Sequence, residues 1–149
     1  MAAVSLSRVY FAHPVGDDVL GNLENGAVWL EWLMLREPDV CFVAPWFAYA
    51  HAFLAGIGRL PRARIMRDNV ELARTCDGGI VLCGQTVSDG MRDEMRAAPG
   101  PVADLVGIGR LPPDDVSLAR VLADAGATGV LGWGLRRGAS LYPVRAADR

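Results

Sequence analysis

Short apolar runs alternate with longer amphipathic stretches along most of the chain. Four runs rich in apolar residues are bounded by polar residues, glycine or proline, and they cover residues 9–12, 40–44, 79–83 and 102–106. Such runs are typical of buried strands. Between them, apolar residues recur at helical spacing over residues 22–37, 62–75 and 88–98. This periodicity predicts amphipathic helices, and in the second of them Ile65, Val70 and Leu72 are expected to face inward.

Three further segments complete the predicted order of elements. An apolar helical excursion begins at residue 45 and ends near residues 56–58, a helix runs from residue 114 or 115 to 125, and a last strand covers residues 130–133. The alternation favours an α/β fold, a three-layer sandwich with a mainly parallel five-stranded sheet of the Rossmann or flavodoxin kind. A length of 149 residues, 52% of them hydrophobic, predicts one domain over residues 1–149. Its ligand site is expected beyond the carboxyl ends of the strands.

The charged residues exclude several classes of function. The formal net charge of −2 comes without an acidic or basic block, which argues against a nucleic-acid polymer as partner. All 15 basic residues are arginines. Schiff-base chemistry on a lysine and a phosphate-loop lysine are therefore excluded. A small molecule or another protein is the expected partner.

The remaining composition bears on metals and location. The three cysteines and two histidines lack the close pairs of a zinc site, so we expect neither a metal nor another cofactor. No signal-peptide pattern opens the chain, and no apolar run reaches membrane-spanning length. We therefore expect a cytoplasmic protein without a membrane partner.

The segment from Cys76 to Glu94 carries the most chemical information. Cys76-Asp77 precedes an apolar strand, a loop follows, and Ser88 and Gly90 stand where the next helix begins. Free backbone N–H groups and the positive end of the helix dipole attract an anion at such a place. From spacing alone, Glu94 fits a solvated surface residue as well as a nucleophile, and Ser88 fits a helix cap as well as a ligand contact.

Three pieces of sequence in register resemble the nucleoside 2-deoxyribosyltransferase superfamily. They are the run from Val9 through Tyr10 to Ala12, Cys76-Asp77 before its strand, and Ser88-x-Gly90-x-x-x-Glu94. The resemblance covers roughly residues 9–106. Short phage and bacterial members look closest, and 2'-deoxynucleoside 5'-phosphate N-hydrolases are similar in length.

This resemblance implies roles for particular residues. Glu94 would attack the anomeric carbon of the sugar, Tyr10 would orient Glu94, and water or a second base would resolve the glycosyl-enzyme. The substrate would be held by Ser88, Asp89 and Gly90 at the sugar's 5' end, by Ala12, His13 and Gly16 after the first strand, and by Ser117 from a neighbouring subunit. A homodimer or higher homo-oligomer is therefore expected, and the apolar first helix independently suggests one.

Two departures from the superfamily pattern leave alternatives open. Where relatives often carry an Asp, this chain has Asn69, and an amide cannot protonate a leaving base. Either the neighbouring Asp68 acts as the acid, or Asn69 only positions the substrate while Asp68 pairs with an arginine. His13 supplies a donor or is only a loop residue, and Asp17 and Asp18 in the same loop would disfavour a phosphate.

The sequence thus predicts an N-glycosidase that cleaves the base–sugar bond of a nucleoside 5'-monophosphate through a covalent intermediate on Glu94. One alternative is a nucleoside 2-deoxyribosyltransferase, which would use the same residues. A second is a non-catalytic nucleotide-binding module, which the Asn69 departure favours. A third, a flavodoxin-like or sugar-phosphate-binding domain, explains the fold but leaves the register of Tyr10, Ser88 and Glu94 to chance.

Overall fold

A computed structural model describes residues 6–38, 40–112 and 144–145 of the chain. These residues form an α/β fold in which strands and helices alternate. The elements are β1 (Ser7–Ala12), α1 (Val19–Arg36), β2 (Val40–Val43), α2 (Trp46–Leu54), α3 (Arg62–Arg74), β3 (Ile80–Leu82), α4 (Asp89–Ala97), β4 (Val102–Asp104), a 3-10 turn (Val106–Ile108) and β5 (Val144–Arg145). The predicted helix after residue 114 and the predicted strand at 130–133 lie outside the described residues.

The parallel sheet has four strands, in the order β2-β1-β3-β4. The sequence predicted five mainly parallel strands. Instead, the strand next to β4 is the two-residue β5, which pairs antiparallel with it. The Rossmann-like α/β class with a parallel sheet is therefore confirmed, and the predicted last strand at residues 130–133 lies outside the described residues.

Alternate residues of β1 pack on opposite faces of the sheet. Val9 and Phe11 join a core cluster with Trp29 and Trp46 from α1 and α2. Tyr10 and Ala12 join a second cluster, to which α3 and α4 contribute apolar residues. Helices thus cover both faces, as the period-two alternation of a strand requires.

Local signals explain where α1 and α3 begin. The Asp18 side chain accepts a hydrogen bond from Gly21 N at 3.0 Å, so α1 starts at Val19 rather than at the predicted Asn22. Helix α3 starts directly after Pro61. Proline is favoured at the start of a helix because an N–H there has no partner within the helix. Its inward face differs from the prediction, since Asn69 and Ala73 are buried while Leu72 is 39% exposed.

The strand order reverses between β1 and β3. After β1 the chain moves to β2 on one side, and after α3 it returns to β3 on the other side of β1. The loops that leave such neighbouring strands diverge and open a crevice at their carboxyl ends. In the part of the chain that the structure describes, no helix combines the length and apolar character needed to cross a bilayer.

Candidate active site

A cavity of about 600 Å³ lies where the strand order reverses. It is bounded by the loop after β1, the start of α2, the first half of α3, and the loop and helix after β3. The residues that line it are His13, Val15, Gly16, Trp46, Arg62, Met66, Asn69, Val87, Ser88, Asp89, Gly90, Arg92, Asp93 and Glu94. The cavity is large enough for a ligand of nucleotide size.

Glu94 is the buried carboxylate of this cavity. Its residue is only 7% exposed. Burial raises the pKa of Glu94 from 4.5 to about 7, the Tyr10 hydroxyl opposes part of that rise, and the nearby Asp93 adds to it. Glu94 therefore titrates near neutral pH, which is the behaviour expected of a catalytic carboxyl group rather than a solvated surface residue.

Tyr10 lies beneath Glu94, on β1. It is fully buried, and burial together with the neighbouring Glu94 charge raises the pKa of its hydroxyl above the ordinary value. Tyr10 therefore keeps its proton at physiological pH and can donate it in a hydrogen bond to the Glu94 carboxylate. The hydroxyl is close enough to affect the Glu94 pKa, although the two groups fall outside ordinary hydrogen-bond geometry.

Four buried side-chain atoms among the described residues have no hydrogen-bond partner. They are Tyr10 Oη, His13 Nε2, Asn69 Oδ1 and Glu94 Oε2. Three of their residues line the cavity, and the fourth, Tyr10, adjoins Glu94. Because buried polar groups are nearly always hydrogen-bonded, a concentration of exceptions in one place points to groups that act on a ligand.

His13 follows β1 and forms one wall of the cavity. Its Nδ1 lies 2.8 Å from the Pro14 carbonyl oxygen, and its ring stacks on Trp46 at 5.6 Å between centroids. Burial lowers the pKa of His13, so the imidazole is neutral at pH 7. The next cavity residue, Gly16, has a φ of +45°, a conformation that favours glycine. Ala12, also predicted to hold substrate, is buried in the core and does not line the cavity.

Ser88 caps its helix and also lies in the wall of the cavity. Its hydroxyl oxygen accepts a hydrogen bond from Met91 N at 3.3 Å, which caps α4, and the residue also lines the cavity. Because the oxygen accepts from Met91, the hydroxyl proton remains available to donate to a ligand. Gly90 and Asp89 line the cavity as predicted, and the exposed Asp89 carboxylate pairs with Arg92 at 2.8 Å.

The structure separates Asn69 from Asp68. Asn69 is buried and lines the cavity. Asp68 does not line it, and its carboxylate pairs with Arg64 at 3.0 Å and with Arg67 at 2.9 Å. The hydrogen bonds from Arg67 and Arg64 lower the pKa of Asp68. Pairing with arginine, rather than substitution for the missing acid, is therefore what the geometry supports for Asp68.

Arg62 lines the cavity, although it was not predicted from the sequence as a site residue. It stands in the first turn of α3, which runs antiparallel to the strands and therefore begins at their carboxyl edge. The direction of α3 relative to the strands was the signal from which Arg62 could have been predicted. Among the described residues, the other arginines of α3 and α4 form ion pairs, and Arg62 does not. The paired arginines are Arg64, Arg67, Arg74, Arg92 and Arg96.

Two expectations concern charge and assembly. Asp17 and Asp18 do not line the cavity, and Asp18 caps α1, so their carboxylates do not oppose an anion there. Ser117 lies outside the described residues, and its expected donation across a subunit interface stays a prediction.

Within the described residues, no group of three or more His, Cys, Asp or Glu side chains is arranged to hold a metal ion.

Comparison of the chain with protein-family models, with curated proteins and with solved structures found no match.

Proposed function

We propose that this protein is an N-glycosidase that cleaves the base–sugar bond of a nucleoside 5'-monophosphate, with Glu94 as nucleophile. The observation that carries the proposal is the buried Glu94, with a pKa of about 7, in a cavity that also collects the unpartnered polar atoms of His13 and Asn69. We also propose that the complete chain is a three-layer sandwich. The resemblance of the Tyr10, Ser88 and Glu94 register to nucleoside 2-deoxyribosyltransferases supports the same reaction class.

The reaction would proceed in two displacements. A Glu94 carboxylate oxygen attacks the anomeric carbon, a carbon–oxygen bond forms, and the bond to the base nitrogen breaks with its electron pair moving to the base. Water then attacks the same carbon, the ester bond to Glu94 breaks, and the carboxylate returns. The water loses one proton to solvent in this second step.

Tyr10 would position the nucleophile. A protonated tyrosine beside the carboxylate holds one oxygen in place and favours the ionised form. The departing base takes its proton from water, because Asn69 has no acidic proton and Asp68 is paired with arginines away from the cavity. This route suits a base that leaves readily as an anion.

The 5'-phosphate would lie at the start of α4. The Ser88 hydroxyl and the first backbone N–H groups of the helix are donors there, and the Arg62 guanidinium lies in the same cavity, while Arg92 pairs with Asp89. In Ser88→Asp, like-charge repulsion should raise the activation free energy for a monophosphate by about 1–3 kcal/mol and so lower its kcat/KM. The kcat/KM for the free nucleoside should not change. Equal losses on both substrates would show that Ser88 only caps its helix.

A nucleotide-binding module without turnover is the second candidate. The specific observation in its favour is that Asn69 is buried and lines the cavity. It stands at the sequence position where the superfamily pattern often has an acid. In that case the same groups would hold a nucleotide without breaking its glycosidic bond. The two candidates differ in whether base is released, not in whether ligand binds.

Release of free base from a panel of nucleosides and their 5'-monophosphates tests the proposal. We expect turnover by the native protein and a loss of at least ~10³-fold, about 4 kcal/mol, in Glu94→Gln. Glu71→Gln is the matched control, because Glu71 is an exposed glutamate on α3 that pairs with Arg74 outside the cavity. Activity in Glu94→Gln above about a tenth of native would contradict the assignment, and base exchange without hydrolysis would favour a transferase.

We further propose that the protein acts as a homo-oligomer. Large apolar side chains on α1 are exposed, among them Val28, Met34 and Leu35, at 48%, 57% and 74%. A helix face of this kind is more often found in contact with a partner than with water. Light scattering that shows a fully active monomer would contradict this expectation and remove Ser117 from the site.

A further inference from the structure

His13 combines three features that do not occur together in an ordinary loop histidine. It is 4% exposed, its Nε2 has no partner among the described residues, and it lines the cavity beside Trp46. The proposed reaction assigns it no role. The superfamily resemblance implies only that this loop helps to hold the substrate, and it names neither the imidazole nitrogen nor the substrate group involved.

The Pro14 carbonyl determines which imidazole nitrogen carries the proton. His13 Nδ1 lies 2.8 Å from the Pro14 oxygen. A carbonyl oxygen can only accept, so this hydrogen bond exists only when Nδ1 bears the hydrogen. In a neutral ring Nε2 then carries a lone pair and no hydrogen, and it is an acceptor. From the sequence, His13 was expected to be a donor or only a loop residue, and the geometry favours an acceptor.

The ring is also held in place by two neighbours. It stacks on Trp46 with an interplanar angle of 16°. The backbone of Gly84 also approaches it closely, since a Cβ at Gly84 would lie 3.1 Å from His13 Nε2 and 2.7 Å from Pro14 Cδ. Gly84 has a φ of +102°, so glycine is favoured there on both counts. His13 lines the cavity, and these contacts give its acceptor nitrogen a defined position.

We propose that His13 is a specificity-determining residue, which accepts a hydrogen bond from a hydroxyl or amine of the ligand and discriminates against ligands that lack this donor. The donor is a sugar hydroxyl or an exocyclic amine of the base. A ligand without it leaves a buried acceptor unpaired, and such a loss weakens binding by about 10- to 100-fold. This inference rests on the proposed function, because it takes the ligand to be a nucleotide.

Calorimetric binding to Glu94→Gln protein, which cannot turn the ligand over, tests the inference. Adenosine 5'-monophosphate is compared with purine riboside 5'-monophosphate, which lacks the amine. 2'-Deoxyadenosine 5'-monophosphate is compared with its 2',3'-dideoxy counterpart, which lacks a hydroxyl. We expect one pair to differ by about 10- to 100-fold in Kd, and the pair that does so identifies the source of the donor.

Two further substitutions then assign the difference to His13. His13→Phe keeps a flat ring against Trp46 but has no acceptor, and His13→Asn keeps a donor for the Pro14 carbonyl but cannot reach the Nε2 position. In each folded variant the two members of the sensitive pair should bind within about 3-fold of each other, since no buried acceptor is left to be unpaired.

A ratio that persists in either folded variant would overturn the inference, and so would two pairs that show no difference in the protein with His13 intact. Neither result would affect the proposed function, provided that the nucleotides bind. Absence of binding by all four nucleotides would instead overturn the proposed function, and the inference with it.

Discussion

The two faces of the sheet satisfy their buried polar groups in different ways. On the face covered by α1 and α2, the indole nitrogens of Trp29 and Trp46 donate to the carbonyl oxygens of Arg110 and Phe11, at 2.8 Å and 3.1 Å. On the face covered by α3 and α4, the buried polar atoms of Tyr10, Asn69 and Glu94 include three without a partner.

We call the first of these the structural face and the second, on which the proposed site lies, the functional face. A buried donor that finds an acceptor stabilises the fold, whereas an unpaired buried group costs free energy and is retained where it has work to do on a ligand. The carboxyl end of β1 joins the two faces, because His13 stacks on Trp46 of the first and lines the cavity of the second. The following predictions test whether the polar groups of the two faces behave differently.

The largest expected effect is on the pH dependence of the reaction. A nucleophilic Glu94 must be ionised, and its pKa is about 7 in the folded protein. We therefore expect kcat/KM to rise nearly tenfold per pH unit well below 7, roughly 50-fold from pH 5 to 7, and to level off above. The profile is measured as base release from one monophosphate. A rate that falls as pH rises through 7 would make Glu94 a proton donor instead.

The next largest effect is on the free energy of unfolding, which should increase when the Glu94 charge is removed. The pKa of Glu94 is raised from 4.5 to about 7 on folding, so the unfolded chain loses this proton first and stability falls as pH rises between those values. Above pH 7 the full cost applies. Glu94→Gln removes it and should stabilise the protein by about 1–3 kcal/mol at pH 8 and by almost nothing at pH 4.

Denaturant unfolding at the two pH values measures this change. Glu71→Gln is the control, since Glu71 is 63% exposed in its side chain and should show no such pH-dependent gain. An equal gain at both pH values, or none at pH 8, would mean that ionised Glu94 carries no penalty in the fold.

The smallest effect has the opposite sign and belongs to the structural face. Trp46→Phe removes the donor that pairs with the Phe11 carbonyl and should destabilise the protein by about 1–2 kcal/mol, independently of pH between 5 and 8. The same unfolding experiment reports it. A stability gain in this variant would break the contrast between the two faces.

Much of the fold follows from local pattern. The strands at the centre of the sheet, the three main helices and the helix cap at Ser88 were predicted because alternation, periodicity and capping chemistry are encoded in neighbouring residues. The start of α1 was missed because Asp18 competes with Asn22 for the cap, and Asn22 instead donates to the Val15 carbonyl. The antiparallel pairing of β5 with β4 was not predicted, because pairing between distant segments is not specified by a local pattern.

Spacing alone predicted the site only where residues lie close in sequence. Gly90 and Glu94 share one helix and Ser88 caps it, so their common location followed from spacing. Arg62 reaches the same cavity from a different helix, and the separate positions of Asp68 and Asn69 depend on how α3 is rotated against the sheet. The rotation of a helix about its axis is decided by tertiary packing. Leu72 was expected to face inward, but it is 39% exposed and the adjacent Ala73 is buried instead.

Identification of a covalent intermediate tests the central claim most directly. The native protein is mixed with the monophosphate that releases base fastest, quenched in acid within a single turnover, digested and mapped by mass spectrometry. We predict a pentose-phosphate adduct on Glu94, absent from Glu94→Gln treated in the same way. An adduct on another residue, or release of base by Glu94→Gln at the native rate, would contradict the account.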